Sequence, residues 1–141
     1  AEVASKKIAL KRILAELNGK RPVYGAERDE YPQFVAAQMG VFIQRKRSLE
    51  EDIAIAQEAL ELAKEELLMG QNLLQSGDIS RSEVMRLERQ VLDLQARIVA
   101  VHNKYLLESR QEQAKIEDEL STSRFKLDEK SNIFSYFTFS S

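Results

Sequence analysis

The single histidine, His102, and a large set of carboxylates are the residues from which acid–base or metal chemistry could be built. A general base must reach the proton it takes, and a metal centre needs several ligands converging on one point. His102 has Val99 three residues before it and Tyr105 three residues after it, so the Glu-x-x-His pairing of a di-iron bundle is missing. Glu50, Glu51, Glu58, Glu61, Glu65 and Glu66 are numerous. At helical spacing they fall on the polar face of one segment, where Glu61 and Glu65 repel, as Glu108 and Glu112 do further on. The chain has no Cys, which removes thiol nucleophiles, disulfides and Cys-ligated metals. It holds no glycine-rich phosphate loop, no G-x-S-x-G and no H-E-x-x-H. These residue types predict no enzymatic activity, no metal and no cofactor.

Binding by charge is no better supported. Lys and Arg number 21 against 23 Asp and Glu, a net charge of −2 that carries no footprint for nucleic acid. The basic cluster Arg45-Lys46-Arg47 is followed at once by Glu50, Glu51 and Asp52, the pattern of a solvated helix face. In the first segment Lys6, Lys7, Lys11 and Arg12 lie off the stripe of Val3, Leu10, Leu14 and Leu17. That stripe suits a membrane interface, but packing against longer helices accounts for it equally. No apolar run approaches the ~20 residues that cross a bilayer. The chain opens on Ala1 without Met, which reads as a processed or excised piece whose missing flanks could carry a membrane anchor.

The elements follow from periodicity. No Gly or Pro follows Gly77, and a Gly/Pro-free run from Asp78 to Ser141 excludes a turn-rich β-sandwich or barrel. A first helix is expected over about residues 2–18, stopped by Asn18-Gly19, and a loop over 20–31. Pro32 at a first helical position opens a second helix to about residue 75. Phe42, Leu49, Ile53, Ala56, Leu60, Ala63, Leu67 and Leu74 hold one alternating 3/4 frame along it, broken only by Lys46 and Gly70. A third helix over about 81–130 continues the rhythm through Val84, Leu87, Val91, Leu94, Ile98, Val101 and Tyr105. It then jumps eleven residues to Ile116 before Leu120 and Leu127, a stutter that relaxes the supercoil. Between the two helices, Gly77 can take the C′ position. Ser80 to Glu83 reads as a capping box and Ile79 with Val84 as a hydrophobic staple, so a chain reversal is predicted at residues 76–80. The expected fold is all-α: a long antiparallel coiled-coil hairpin with a shorter third helix near its base, residues 1–130 forming one domain. Ser131 to Ser141 carry Phe134, Tyr136, Phe137 and Phe139 without a charge. They are expected to form a non-helical tail, strand-like, disordered or left by a tag or cloning remnant.

The order of features resembles the α-helical hairpin of HlyD-type membrane fusion proteins, the periplasmic adaptors of type I secretion. The stretches that carry the resemblance are Leu14 to Gly19 with Pro22, Tyr31 to Gln38, Phe42 with Arg45 and Leu49, and Gly77 to Val84 with Leu87 to Gln90. It covers about residues 5–127. The resemblance implies a fragment of an adaptor whose lipoyl-like and β-barrel domains lie outside this chain. Its hairpin tip would meet an outer-membrane TolC-type channel, and its missing regions an inner-membrane ABC transporter. Related adaptors carry an Arg, a Leu and a Ser at the tip; Leu73 and Ser80 match here, but Met69 stands at the Arg position. That departure points to apolar docking, so Met69, Leu73, Ile79 and Ser80 are the expected partner-binding residues.

The expected function is therefore protein transport by a periplasmic adaptor, anchored in the inner membrane in its full length. Copies would stand side by side in a ring, with Lys64, Glu65, Arg86 and Arg89 available for lateral contacts. The alternative is a generic structural or tethering coiled coil without a transport role. An RNA-binding arm would need a basic tip, and Asp78 and Glu83 cancel Arg81 and Arg86 there.

Overall fold

The computed structural model describes residues 1–140, and for residues 139 and 140 the backbone alone. It is all-α, with helices α1 (Glu2–Leu17), α2 (Glu27–Glu30), α3 (Pro32–Gln75) and α4 (Arg81–Ser140). No strand occurs among the described residues, and α3 and α4 pack against each other. Contacts divide the chain into two units, Ala1–Gln44 with Leu106–Ser141, and Arg45–Tyr105, so both long helices contribute to each.

In the unit Arg45–Tyr105 the core follows the heptad seam read from the sequence, except that Leu74, expected in the seam, is exposed. Leu60, Ala63 and Val91 form a buried cluster, with Leu67, Leu94 and Ile98 packed against it. A Leu or Val side chain taken fully from water, as Leu60 and Val91 nearly are, contributes roughly 1.5–3 kcal/mol. Gly70, read from the sequence as a break in the seam, is buried in it. A Cβ there would stand 2.6 Å from Leu87 Cδ1, so the missing side chain is the space Leu87 fills. Arg45 donates from Nη2 to the Tyr105 carbonyl at 3.2 Å and lies over the Tyr105 ring, 4.8 Å from its centre.

In the other unit Ile8, Tyr24 and Val35 form the core, with Tyr31 and Met39 against it. The buried face of α1 differs from the expected stripe. Ile8, Ala9, Arg12, Ile13 and Glu16 are buried, whereas Leu14 is exposed. The reason is tertiary: Tyr24 folds back to donate its hydroxyl to the Ile8 carbonyl at 3.1 Å, which turns the Ile8 side of the helix inward. The expected loop 20–31 also contains α2, held at its start by Gly25 N–H donating to Glu27 at 3.1 Å and by the Lys11–Glu27 ion pair.

Along α4 the seam does not lapse between Tyr105 and Ile116. Ser109 is fully buried and Glu112 half-buried, in steps of four, three and four residues. Leu127, expected in the seam, is exposed, and Ser123 is buried in its place.

The tail is the largest correction. Instead of ending near residue 130 and giving way to a non-helical segment, α4 runs on to Ser140. Extending an existing helix adds a hydrogen bond per residue and avoids a new nucleus, while aromatic and Ser residues cost at most ~0.7 kcal/mol each against Ala. With no Gly or Pro to interrupt it, the helix continues, and Thr138 donates back to the Phe134 carbonyl at 2.8 Å. Ser141 lies outside the described residues.

Candidate functional site

The site begins with how α3 stops. Gly77 takes φ +79°, a conformation that a Cβ penalises. It lets Asp78 N–H donate to the Leu73 carbonyl at 2.8 Å and Gly77 N–H to the Leu74 carbonyl at 3.0 Å. This pair is a Schellman termination, which satisfies carbonyls the helix would otherwise leave open. Ser76 adds a bond from its hydroxyl to the Leu73 carbonyl at 3.0 Å and another to Asp78 at 2.6 Å.

Helix α4 starts three residues later. Ser80 Oγ accepts from the Glu83 N–H at 3.2 Å, the cap expected from the sequence. The reciprocal half of the box is replaced: Glu83 turns its carboxylate to Arg86, 2.7 Å from Nη2. The Arg86 hydrogen bond, which outweighs desolvation, holds Glu83 below the usual carboxylate range.

The four expected contact residues divide into two pairs. Met69 is 63% and Leu73 41% exposed, one turn apart on the same face of α3. Ile79 and Val84 lie together over Gly70, within 3.5 and 4.0 Å of where its Cβ would stand. Ile79 is thus half-buried by the staple, and the Ser80 hydroxyl is engaged in the cap and with Ser82. Met69 and Leu73 present surface; Ile79 and Ser80 build the turn that presents it. Leu68, 60% exposed, adds to the apolar area on the last turns of α3. Of the four charges read as lateral, Arg86 is held by Glu83 and Lys64 lies 3.7 Å from Glu61. His102 is exposed.

A second constellation escaped the sequence reading. Arg12, 1% exposed, donates from Nε to Gln38 at 2.7 Å and from Nη1 to Glu16 at 2.8 Å. Its Nη2 is paired with Glu112 on α4. Ser109 donates to the other Glu16 oxygen at 3.0 Å. Desolvation works against the charged guanidinium, but the bonds to Glu112 and Glu16 outweigh it and raise the Arg12 pKa. The arrangement is saturated: among the described residues no buried side-chain nitrogen or oxygen lacks a partner. It locks α1 to α3 and α4 and offers no free base or nucleophile. The sequence does hold its signal. Ile8, Arg12 and Glu16 follow one another at i,i+4, and the apolar gap in α4 places Ser109 and Glu112 at seam positions.

Among the described residues, no group of three acidic, His or Cys side chains could hold a metal ion, and no helix is long and apolar enough to cross a membrane. Comparison with family models, curated proteins and solved structures returns no match.

Proposed function

We propose that this chain is the helical hairpin of a periplasmic adaptor of the HlyD type, and that it works by docking the α3–α4 turn onto an outer-membrane TolC-type channel. In this reading α3 and α4 run antiparallel over the unit Arg45–Tyr105. The contacts that support it climb one helix as they descend the other: Arg45 with Tyr105, Leu60 and Ala63 clustered with Val91, Gly70 with Leu87 and Val84. The observation that carries the docking reading is the exposure of Met69 and Leu73 beside a turn built from a Schellman stop and a Ser80 cap. Apolar side chains gathered at a free turn mark contact surfaces, because their burial awaits a partner. An inner-membrane ABC transporter would be met through regions outside this chain, and the full-length protein would be anchored in the inner membrane.

A plain tethering coiled coil is the competing reading, and it places no demand on Leu73. Leu73→Asp in the full-length protein is expected to abolish export while the hairpin itself stays folded, since Leu73 lies outside the buried seam. An apolar anchor of this kind is worth about 2–4 kcal/mol at an interface, enough to lose a transient complex. Normal secretion by a stably expressed Leu73→Asp protein sinks the docking reading and leaves the tether.

A further inference from the structure

Asn18 is followed by Gly19, whereas Asn72, Asn103 and Asn132 precede Leu73, Lys104 and Ile133. An Asn side-chain amide can be attacked by the backbone nitrogen of the next residue, and a glycine there, having no Cβ, leaves the approach open. Both residues lie exposed at the end of α1, yet the way the helix stops holds the reacting atoms apart. Asn18 has φ −97° and ψ 3°. At that ψ the Gly19 nitrogen lies on the side of the Asn18 backbone nitrogen, and ring closure needs it turned to the side of Cβ. The Gly19 N–H donates to the Glu16 carbonyl at 3.3 Å and the Lys20 N–H to the Ala15 carbonyl at 2.9 Å, a Schellman stop with Gly19 at φ +65°. The Asn18 side-chain nitrogen, which must leave, donates to the Leu14 carbonyl at 2.8 Å.

The residue that holds Gly19 is itself held from far along the chain. The buried Glu16 carboxylate accepts from Arg12 at 2.8 Å and from Ser109 on α4 at 3.0 Å. The last turn of α1 is therefore fixed by its seat on α4 as well as by its own hydrogen bonds. The attack needs ψ of Asn18 to rotate, and that rotation breaks the Gly19 and Lys20 bonds together.

We propose that Asn18–Gly19 is a self-modification site, closed while α1 is docked and reactive once its last turn opens. The Gly19 nitrogen forms a bond to Asn18 Cγ and gives up its proton. The Cγ–Nδ2 bond breaks, and the departing nitrogen leaves with that proton as ammonia. Water then opens the succinimide ring. Addition at Cγ gives Asp, and addition at the former backbone carbonyl gives isoaspartate, in which the chain runs on through Cβ and Cγ. The isoaspartate route lengthens the backbone by one methylene and carries the Gly19 and Lys20 N–H groups away from their carbonyls. Either product sets a carboxylate at the C-terminal end of α1, where the helix dipole disfavours negative charge. The same segment leads to Tyr24, whose hydroxyl reaches back to the Ile8 carbonyl, so the displacement extends to the core of that unit. An undocked chain is thereby converted into one that docks poorly.

The test is the rate of deamidation at Asn18 in the full chain, followed by peptide mapping and isoaspartyl-specific methylation. The urea-unfolded chain is expected to react at least about tenfold faster than the folded one, because the folded rate tracks the population of the open turn. Ser109→Ala, which takes one bond from Glu16, is expected to raise the folded rate several-fold. Amide exchange at Gly19 and Lys20 reads the same opening and should rise by the same factor. Equal rates in the folded and unfolded chains overturn the closure. A Ser109→Ala protein that modifies and exchanges at the parent's rate overturns the dependence on docking. The isoaspartate form, purified from incubated protein, is expected to lose amide protection from Ile8 to Leu17, and a form as protected as the parent overturns the switch.

Discussion

Arg12 shows how one residue's burial depends on its neighbours. A guanidinium at 1% exposure is tolerated because Gln38, Glu16 and Glu112 take its donors, and Ser109 completes Glu16. Removing one partner of a buried pair costs more than replacing the whole set, because the survivor is left desolvated without compensation. Arg12→Ala is therefore expected to destabilise the chain by about 3–5 kcal/mol in urea unfolding. The combined Arg12→Met, Glu16→Leu, Ser109→Ala protein should lie within ~1 kcal/mol of the parent or above it, since matched apolar groups remove the desolvation term. An Arg12→Ala protein as stable as the parent contradicts the network's structural role. The combined protein should also show whether the charges specify how α1 docks, read by amide exchange along α1.

At the scale of elements, the close meeting of α3 and α4 at Gly70 is the most sensitive point. An added Cβ would fall 2.6 Å from Leu87 Cδ1, at the end of a flexible but buried side chain. Gly70→Ala gains up to ~1 kcal/mol of helix propensity, which offsets the shift Leu87 must make. Gly70→Val has a branched side chain and no such margin, and is expected to cost about 1–3 kcal/mol as overpacking. Thermal unfolding of the two variants checks the order, and a Gly70→Val protein as stable as Gly70→Ala rejects the close approach. The turn that follows stands on a different footing. Its Schellman bonds and Ser80 cap are local, so they hold whatever the partner of α3 may be.

For the whole molecule, stability resides in two buried cores, Ile8 with Tyr24 and Val35, and Leu60 with Ala63 and Val91. The last turns of α4 contribute to neither: Ile133, Phe134, Tyr136 and Phe137 are 50–72% exposed. Deleting residues 131–141 is expected to lower the helical circular-dichroism signal in proportion to the residues lost and to leave the melting temperature unchanged. A fall of several degrees, the effect of about 1 kcal/mol in a chain this size, would reveal a stabilising contact for that segment. The proposed tip contact uses surface that these cores leave uncovered, so a variant at Leu73 is expected to separate docking from folding.

By themselves the residues of this chain determined whatever depends on neighbours close in sequence. The stop at Gly77, the Ser80 cap, the start at Pro32 and the heptad seam from Leu60 to Ile98 are all legible, because each rests on backbone geometry or on a period the helix imposes. Tertiary structure decided the rest. Which face of α1 is buried depended on Tyr24 reaching the Ile8 carbonyl, a contact sixteen residues long. That Arg12 and Glu16 lie inside depended on Ser109 and Glu112, roughly a hundred residues away, supplying their partners. A polar residue belongs to a core only when its complement arrives from elsewhere in the chain, and periodicity counts such residues as surface. The length of α4 turned on a milder balance, in which the low cost of extending a helix outweighed the strand preference of its aromatic residues. The site was legible to the same degree: Ile79 and Ser80 were visible as turn residues and Met69 and Leu73 as the ones left with spare surface, and packing decided how much of it each keeps.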